Sequence, residues 1–400
     1  GVFLEPLTGE FAWTRATVSL AFTVGMIVTG LLGVVAGRLS DRIGPRVVMT
    51  ACGLFLGAGY LLLGRVESLW QLYLDYGVII AAGMSGVTVP MTSSVVRWFV
   101  QRRGLMTGLV IAGPAVGITV VPAVAAWIIT HYGWRSAYLV IGVVVLVLIT
   151  AMAQLLKRDP SQVGVMPYGQ GEAKVATSGL EAGGFSLREA MRTRQLWTLS
   201  LIYLGNFFNI NVVMVHIVIH ATGAGILPMA AVSVLSAMAV VSIGGRIMAG
   251  AAADRIGWKR TIIIGLAMSL LGFGLLLAGQ GLWVLHLFAI SFGIGGWAVP
   301  SVMSPVVAEL FGVKSHGVIL GVVTFAGTIG GAIGPLLAGQ IFDTTGSYQL
   351  AFVVCAILSV VGIVLTWTLR ATSDKGGCLL YTSDAADEGL GVDLGGRRII

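Results

Sequence analysis

The chain has 400 residues, of which 56% are hydrophobic and only 10% are charged. Soluble domains carry about 25% charged residues and about 45–50% apolar residues with glycine included, and this chain adds 57 glycines to its apolar set. This composition excludes a water-soluble globular enzyme, a disordered chain and a disulfide scaffold, and the mean hydropathy of +0.94 indicates a membrane protein.

The two ends of the chain depart from this pattern. Residues 1–7 are typical of the end of a helix already under way, so we expect a first membrane helix to precede Gly1. Residues 378–400 contain two stretches that resemble a translated sequencing-library adapter, and we expect an artefact tail there. The alternative for this segment is a polar C-terminal tail.

Membrane-spanning helices are predicted wherever about 20 apolar residues follow one another, because the hydrocarbon core is about 30 Å thick. The chain contains eleven such runs, which become twelve with the helix expected before Gly1. They lie near residues 16–37, 46–64, 69–96, 104–130, 136–156, 195–220, 228–252, 261–279, 281–308, 317–341 and 349–369. The predicted fold class is therefore an all-α membrane protein.

Basic residues are distributed unevenly between the two sides of these predicted spans. Alternate loops place 19 Lys and Arg on one side, whereas the other side carries three, namely Arg15, Arg65 and Arg135. The positive-inside rule then puts the long loop 157–194 and the C-terminus in the cytoplasm of a multi-pass protein of the inner (plasma) membrane. Because topology accounts for the net charge of +7, we expect no nucleic-acid partner.

An internal repeat relates the two halves of the chain. The segment GRLSDRIGPR at 37–46 recurs as GAAADRIGWK at 250–259, an offset of 213 residues. Glycines and prolines follow in the same register: 104, 108, 117, 122 and 133 match 317, 321, 330, 335 and 346. The repeat predicts two six-helix bundles, 1–156 and 195–377, joined by a linker over 157–194. Transporters built from such parallel repeats bind substrate between the halves near the membrane midplane.

The repeated pattern G-x-x-x-D-R-x-G-x-[RK] resembles the signature loop of the major facilitator superfamily. Three further segments, WFVQRRG at 98–104, HATGAGI at 220–226 and DTTGSY at 343–348, resemble the bacterial monocarboxylate and oxalate/formate carriers. The resemblance covers residues 1–377. It implies the major facilitator fold and a secondary transporter that works by alternating access, not an enzyme.

The repeated loop is predicted to act as a conformational latch. Its two copies consist of Asp41, Arg42 and Arg46, and of Asp254, Arg255 and Lys259. We expect each acid to pair with the arginines beside it and to face the N-terminus of a neighbouring helix, where the helix dipole favours an anion. The alternative is a simple turn that carries positive-inside charges.

Arg246 is the leading candidate for substrate binding, because it is an ionisable residue inside a predicted span. It lies eight residues before Asp254, about 12 Å along the helix, and the repeat places Gly33 at the equivalent position. A buried guanidinium needs an anion, and its fork matches a carboxylate. In the resembled carriers an arginine followed four residues on by glycine, here Gly250, binds the substrate carboxylate. The alternatives are an ion pair with Asp75 and a snorkelling arginine.

A polar stripe marks the predicted span 195–220. Its members fall within about 80° of one another on a helix, which is typical of a cavity lining; they are Asn206, Asn209, His216 and His220. The two histidines either couple transport to protons or are satisfied by backbone carbonyls. Asp75 either shares that coupling role or lies at the outer rim. No acid accompanies the histidine pair, so we expect no metal site.

The pattern around Arg246 narrows the substrate class and leaves two competing functions. Ser242 stands where animal monocarboxylate carriers have an acid, and residues 317–341 contain no Lys or Arg. One buried cation balances one carboxylate, which favours a monocarboxylate over a dicarboxylate. The competing functions are a proton-coupled drug exporter, which would tolerate loss of Arg246, and a substrate sensor built on a carrier scaffold. We expect a monomer in the lipid bilayer that transports a small organic anion and uses no cofactor. Whether protons are the coupling partner is left open by the sequence.

Overall fold

Helices make up nearly all of the chain that the computed structural model describes, which comprises residues 3–169, 184–279 and 281–369. These residues belong to one unit of the structure. The predicted artefact tail, 378–400, lies outside the described residues. No β-strand occurs within the described ranges, where an isolated bridge pairs Phe99 with Tyr168.

Fifteen α-helices follow one another along the described chain. The N-terminal half contains α1 (Leu4–Phe11), α2 (Arg15–Ile43), α3 (Pro45–Leu63), α4 (Leu69–Leu74), α5 (Ala81–Ser85), α6 (Thr88–Trp98) and α7 (Arg103–Ala153). The short α8 (Leu187–Met191) lies in the linker. The C-terminal half contains α9 (Arg194–Gly223), α10 (Pro228–Ile256), α11 (Trp258–Ala278), α12 (Leu282–Gly295), α13 (Ala298–Phe311), α14 (His316–Thr345) and α15 (Gln349–Thr368).

Ten helices of the described chain are long and apolar enough to cross a membrane. Two of them are composite: α4, a π-helical turn at Asp75–Ile80, α5 and α6 form Leu69–Trp98, and α12 with α13 forms Leu282–Phe311. The 51-residue α7 is broken at Gly133, whose φ of 81° is a conformation that favours glycine. It therefore provides two crossings, 103–132 and 134–153. The eleven crossings match the eleven apolar runs of the sequence.

The repeated Asp–Arg loop folds as a one-residue turn in both halves. Gly44 (φ 90°) ends α2 and begins α3, and Gly257 (φ 87°) does the same between α10 and α11. A side chain is strained at such a φ, so glycine is required at both positions. The turns hold Asp41 and Asp254 at one end of the helix bundle. Because the basic residues of the repeated loop lie beside these acids, we call it the basic end.

Each half has its own apolar core, and apolar side chains also cover the outside. Leu56, Leu63 and Trp134 are buried together in the N-terminal half, whereas Phe273 and Phe288 belong to a cluster in the C-terminal half. Large apolar side chains are half exposed along the outer faces of the helices, for example Leu31, Val120 and Leu271. Such a surface suits hydrocarbon rather than water.

Candidate functional site

Two pairs of helices join the halves, and glycine lets both pairs touch backbone to backbone. We call the contact of α2 with α14 the first seam and the contact of α7 with α10 the second seam. Near the basic end, a Cβ added at Gly37 would overlap the Gly317 carbonyl oxygen, and one added at Gly104 would overlap that of Gly250. The 213-residue repeat converts one pair of glycines into the other. Small residues permit this approach of helices in membranes.

The carboxylate of Asp41 crosses the first seam. It accepts hydrogen bonds from the backbone N–H groups of Gly317 (3.1 Å) and Val318 (3.0 Å), which belong to the first turn of α14. Its third partner is Arg97, whose Nη2 lies 3.1 Å from Asp41 Oδ1. These backbone groups have no partner inside their own helix, so the acid satisfies them and also meets the positive end of the helix dipole.

Asp254 makes the corresponding contact across the second seam. Its two carboxylate oxygens accept from the backbone N–H groups of Gly104 (2.7 Å) and Leu105 (2.8 Å) at the start of α7. Each half of the protein therefore supplies an acid that caps a helix of the other half. The basic end is shut in this structure because both seams are closed there.

Two other residues of the predicted latch, Arg46 and Lys259, make contacts within their own half. Arg46 donates to Gln154 Oε1 (2.9 and 2.7 Å), and Lys259 donates to the carbonyls of Trp367 and Leu369. Asp41 thus takes its cation from Arg97 of α6, rather than from the neighbouring Arg42 or Arg46. Within the described residues Arg42 offers only its carbonyl, to Arg158, and the side chain of Arg255 makes no hydrogen bond or ion pair.

Beside the first seam, α14 makes a further polar contact, with α6, that the sequence did not predict. His316, the first residue of α14, is buried and lies with Nδ1 3.0 Å from the hydroxyl of Ser93 in the other half. Its Nε2 lies 2.9 Å from the Ser304 carbonyl oxygen, which requires Nε2 to donate. Ser304 in turn donates to the carbonyl of Thr92 (3.2 Å). Neither residue of the His316–Ser93 pair belongs to a recognisable motif.

Arg246 lies on the second seam and is only 2% exposed. Its Nη1 donates to the Ile111 carbonyl of α7 at 2.8 Å, and its Cζ lies 3.7 Å from the ring centroid of Trp297. Its Nε has no hydrogen-bond partner. Among the described residues no carboxylate forms an ion pair with Arg246, so the expected alternative of a pair with Asp75 is absent there.

A small cavity lies beside this guanidinium, between the two halves. The N-terminal half contributes Ala115 and Ile118 of α7, and the C-terminal half contributes Met214, Met238, Ala239, Ser242, Arg246 and Trp297. Ser242 donates its hydroxyl to the Ala239 carbonyl one turn back in α10. The cavity therefore combines a cation and one hydroxyl with an otherwise apolar wall.

The two asparagines of α9 have different surroundings. The amide of Asn206 donates to the Gly296 carbonyl (3.1 Å), directly before Trp297, so it contacts the backbone that carries the ring over Arg246. The amide of Asn209 donates to Cys355 and Ser359 of α15, both at 3.1 Å. The Oδ1 atoms of both asparagines are buried without a partner.

The titratable side chains predicted as coupling candidates make their contacts away from Arg246. His216 is bound by the Tyr348 hydroxyl (3.1 Å) and the Pro335 carbonyl (3.0 Å). His220 packs edge-on against Phe352, and its Nε2 has no partner. Asp75 is buried at the start of the π-helical turn, and its carboxylate forms no hydrogen bond or ion pair within the described residues. No group of three His, Cys, Asp or Glu suited to a metal occurs in that part of the chain.

Comparison with known proteins defines the class of molecule to which this architecture belongs. The family model described as "Major Facilitator Superfamily" matches residues 1–266 and 199–379. The chain therefore belongs to the Major Facilitator Superfamily, which confirms the fold and the family predicted from the repeated loop. It is a multi-pass membrane transporter and not an enzyme, because the relatives that it matches are transporters of this superfamily.

Among curated relatives, monocarboxylate transporter 13 is similar over most of the chain. The rat protein is 29% identical over 374 residues, covering 92% of this chain and 83% of its own length, and the bovine protein is 30% identical with 92% and 84% covered. An uncharacterized MFS-type transporter of Escherichia coli K12, YhjX, is 28% identical over 311 residues, with 75% and 74% covered.

Solved structures with the same fold include two proton-coupled sugar symporters. The proton:xylose symporter XylE matches with a TM-score of 0.73 at 16% identity, covering 92% of this chain and 90% of that one. The fucose:proton symporter FucP of Escherichia coli matches with a TM-score of 0.68 at 18% identity, covering 93% and 94%. At these identities the likeness concerns the fold alone.

Proposed function

We propose that the protein is a secondary carrier of small organic anions, in particular monocarboxylates, and that Arg246 binds the carboxylate. The observation that carries the proposal is a buried guanidinium without an acidic partner, in a cavity between the two halves. A carboxylate supplies two oxygens in one plane, which match two N–H groups of a guanidinium edge. The similarity to monocarboxylate transporters 12 and 13 supports this substrate class.

The surroundings of Arg246 favour a single carboxylate and a small substrate. Its present partners are a carbonyl dipole and an aromatic face, which compensate a positive charge only in part. One carboxylate would neutralise the site, and residues 317–341 of α14 carry no second cation for another. The methionines, Ile118 and Trp297 would then contact the apolar part of the anion.

The crossed acids at the basic end support an alternating-access mechanism. Asp41 and Asp254 each join one half to a helix of the other, so a rocking motion that opens the basic end must break both contacts. With 19 basic residues on that side against three on the other, the basic end faces the cytoplasm of an inner (plasma) membrane in our proposal. This structure then corresponds to a state closed toward the cytoplasm, in a monomeric carrier.

Proton coupling is assigned to groups away from Arg246. His216 and His220 in α9, together with Asp75, are the titratable candidates inside the spans, and none of them contacts the guanidinium. Coupling by these groups would be indirect, through helix packing. An anion exchanger needs none of them, so the dependence of uptake on a proton gradient separates symport from exchange.

The experiment is uptake of labelled lactate into liposomes that contain the full chain, with and without an inward proton gradient. We expect saturable uptake by the wild type and a loss of at least about 100-fold in Arg246→Ala, because the substrate charge would lose its counter-ion in a buried site. Arg246→Lys keeps the charge but loses the fork, and we expect intermediate uptake.

The matched control is Arg65→Ala, which removes an exposed arginine far along the chain from the cavity. Uptake by this variant is expected to equal that of the wild type. Equal uptake by the wild type and by Arg246→Ala would contradict the proposal. Transport of lipophilic cations by Arg246→Ala would instead favour the drug exporter.

A further inference from the structure

Arg246 joins the two halves twice, through its side chain and through its backbone. The side chain donates from Nη1 to the Ile111 carbonyl of α7 at 2.8 Å. One turn earlier on α7, Gly108 lies against the Arg246 carbonyl oxygen, which is 2.5 Å from where a Cβ of residue 108 would stand. The second seam and the guanidinium are therefore parts of one contact.

The partners of Arg246 also determine which edge of the guanidinium remains for a ligand. Trp297 covers one face, and Ile111 occupies Nη1. The edge formed by Nε and Nη2 is left, and Nε has no partner in the structure. A carboxylate can bind that edge with both oxygens while Nη1 stays on Ile111.

We infer that the Ile111 carbonyl positions Arg246 for the substrate only while the second seam is closed, so that opening of this seam at the basic end lowers the affinity for the anion. The inference rests on the proposed function and assigns a positioning role to a backbone carbonyl of α7. A hydrogen bond from a charged donor contributes enough to change the affinity by about tenfold. The anion would accordingly be released on the basic side.

Thermodynamic linkage makes the sign of this effect testable. If the closed second seam favours the anion, the anion must favour the closed seam to the same degree. A carboxylate that displaced Ile111 from Arg246 would instead favour the open seam. If Arg246 had a purely structural role, the anion would not change the closed population of the seam.

The seam is followed by electron-electron distance measurements between spin labels at Arg102 and Ile256, which are exposed at the basic ends of α7 and α10. The native cysteines are first replaced by alanine at positions 52, 355 and 378. We expect lactate to increase the population with the short distance in the wild type and to leave the distance in Arg246→Ala unchanged.

Two glycine variants of α7 test the positioning without touching Arg246. Gly108→Ala forces α7 away from the Arg246 backbone, and we expect about tenfold weaker lactate binding in calorimetry. Gly113→Ala is the matched control, because its Cβ would meet no atom within 4 Å, and we expect unchanged affinity. Similar thermal midpoints in both variants would show that the loss is not one of folding.

The outcomes separate this inference from the proposed function. A wild type that binds no lactate contradicts both. Lactate binding that lengthens the Arg102–Ile256 distance or leaves it unchanged overturns the inference alone, and so does unchanged affinity in Gly108→Ala. Binding that shortens the distance and is weakened in Gly108→Ala supports it.

Discussion

The two seams contain the same repeated glycines and acids at the basic end, but they differ further along the helices, away from that end. In the first seam close contact continues past Gly321, since a Cβ at Gly30 would lie 2.9 Å from Phe325. In the second seam, Ala115 of α7 lines the cavity together with Ala239 and Ser242 of α10. The first seam is packed, whereas the second opens into the cavity.

One position of the repeat accounts for much of this difference. Gly33 in the first seam corresponds to Arg246 in the second. Glycine leaves two helix backbones in contact, whereas an arginine side chain needs space and partners for its charge. The repeat thus keeps the same closing contacts at the basic end of both seams, while one large, charged replacement further along α10 places a buried cation beside the cavity.

The largest effect is expected from side chains placed where the backbones touch. Gly37→Ala in the first seam and Gly250→Ala in the second would each overlap a carbonyl oxygen of the opposite half. Overpacking of this kind costs about 1–3 kcal/mol, which lowers the ratio of closed to open molecules by about fivefold to 160-fold. Spin labels at Arg38 and Lys314 report on the first seam, and those at Arg102 and Ile256 report on the second.

The same two variants show whether the halves move as rigid bodies. If they do, Gly37→Ala lengthens both distances, although its added methyl group lies in the first seam only. Gly113→Ala is again the control that leaves both distances unchanged. A response confined to the altered seam would contradict rigid-body motion.

The next effect concerns the two acids. Asp41 has two backbone donors and Arg97, whereas the hydrogen bonds of Asp254 come from two backbone donors. Asparagine keeps one accepting oxygen and turns an NH₂ group toward a donor, so both substitutions weaken the closed state. We expect about a tenfold loss of closed population in Asp41→Asn and about a threefold loss in Asp254→Asn. The same distance measurements test both variants. Equal losses in the two would show that Arg97 does not stabilise the closed state.

A smaller effect is expected at His316, which has no counterpart in the second seam because the repeat places Arg103 there. His316→Leu removes the hydrogen bonds to the Ser93 hydroxyl and to the Ser304 carbonyl, and we expect about a fivefold loss of closed population at the first seam. His316→Gln is the matched variant, because its amide offers one donor and one acceptor. Equal loss in both variants would contradict a hydrogen-bonding role.

Helix positions follow from local pattern, and for that reason the eleven crossings and the turns at Gly44 and Gly257 are predictable. Arg246 also stands out in the sequence, because the repeat sets a glycine opposite it. The cross-half partners are different. Asp41 meets backbone groups 276 residues away, and a backbone carbonyl such as that of Ile111 has no sequence signature at all.

The polar stripe on α9 shows a second limit of sequence reasoning. A helical wheel places Asn206 and Asn209 on one face, but it cannot tell a cavity from a neighbouring helix. The amide of Asn209 binds α15, and the amide of Asn206 binds the backbone before Trp297. Arg97, by contrast, has a sequence signal as a basic residue in a loop, yet only the fold shows which acid it meets.

The smallest effect is expected outside both seams, at the end opposite to the basic end. Glu10 of α1 accepts a hydrogen bond from the indole of Trp134 (2.7 Å) and pairs with Arg135, both in the N-terminal half. The Trp134 hydrogen bond, followed by that of Arg135, lowers the pKa of Glu10 from its ordinary value of 4.5. A lowered pKa means that this contact stabilises the docked α1 above pH 4.5 and is lost as the pH falls through the lower value.

A nitroxide introduced by Gly9→Cys reports on α1, since a Cβ there would meet no atom within 4 Å. We expect its mobility to rise on acidification below pH 4.5 and to be high at every pH in Glu10→Gln, because the neutral side chain cannot form the ion pair. Both seam distances should remain unchanged in Glu10→Gln, since the hydrogen bond and the ion pair of Glu10 lie within its own half. A seam that responded would show that closure depends on packing inside the N-terminal half as well as on the contacts between the halves.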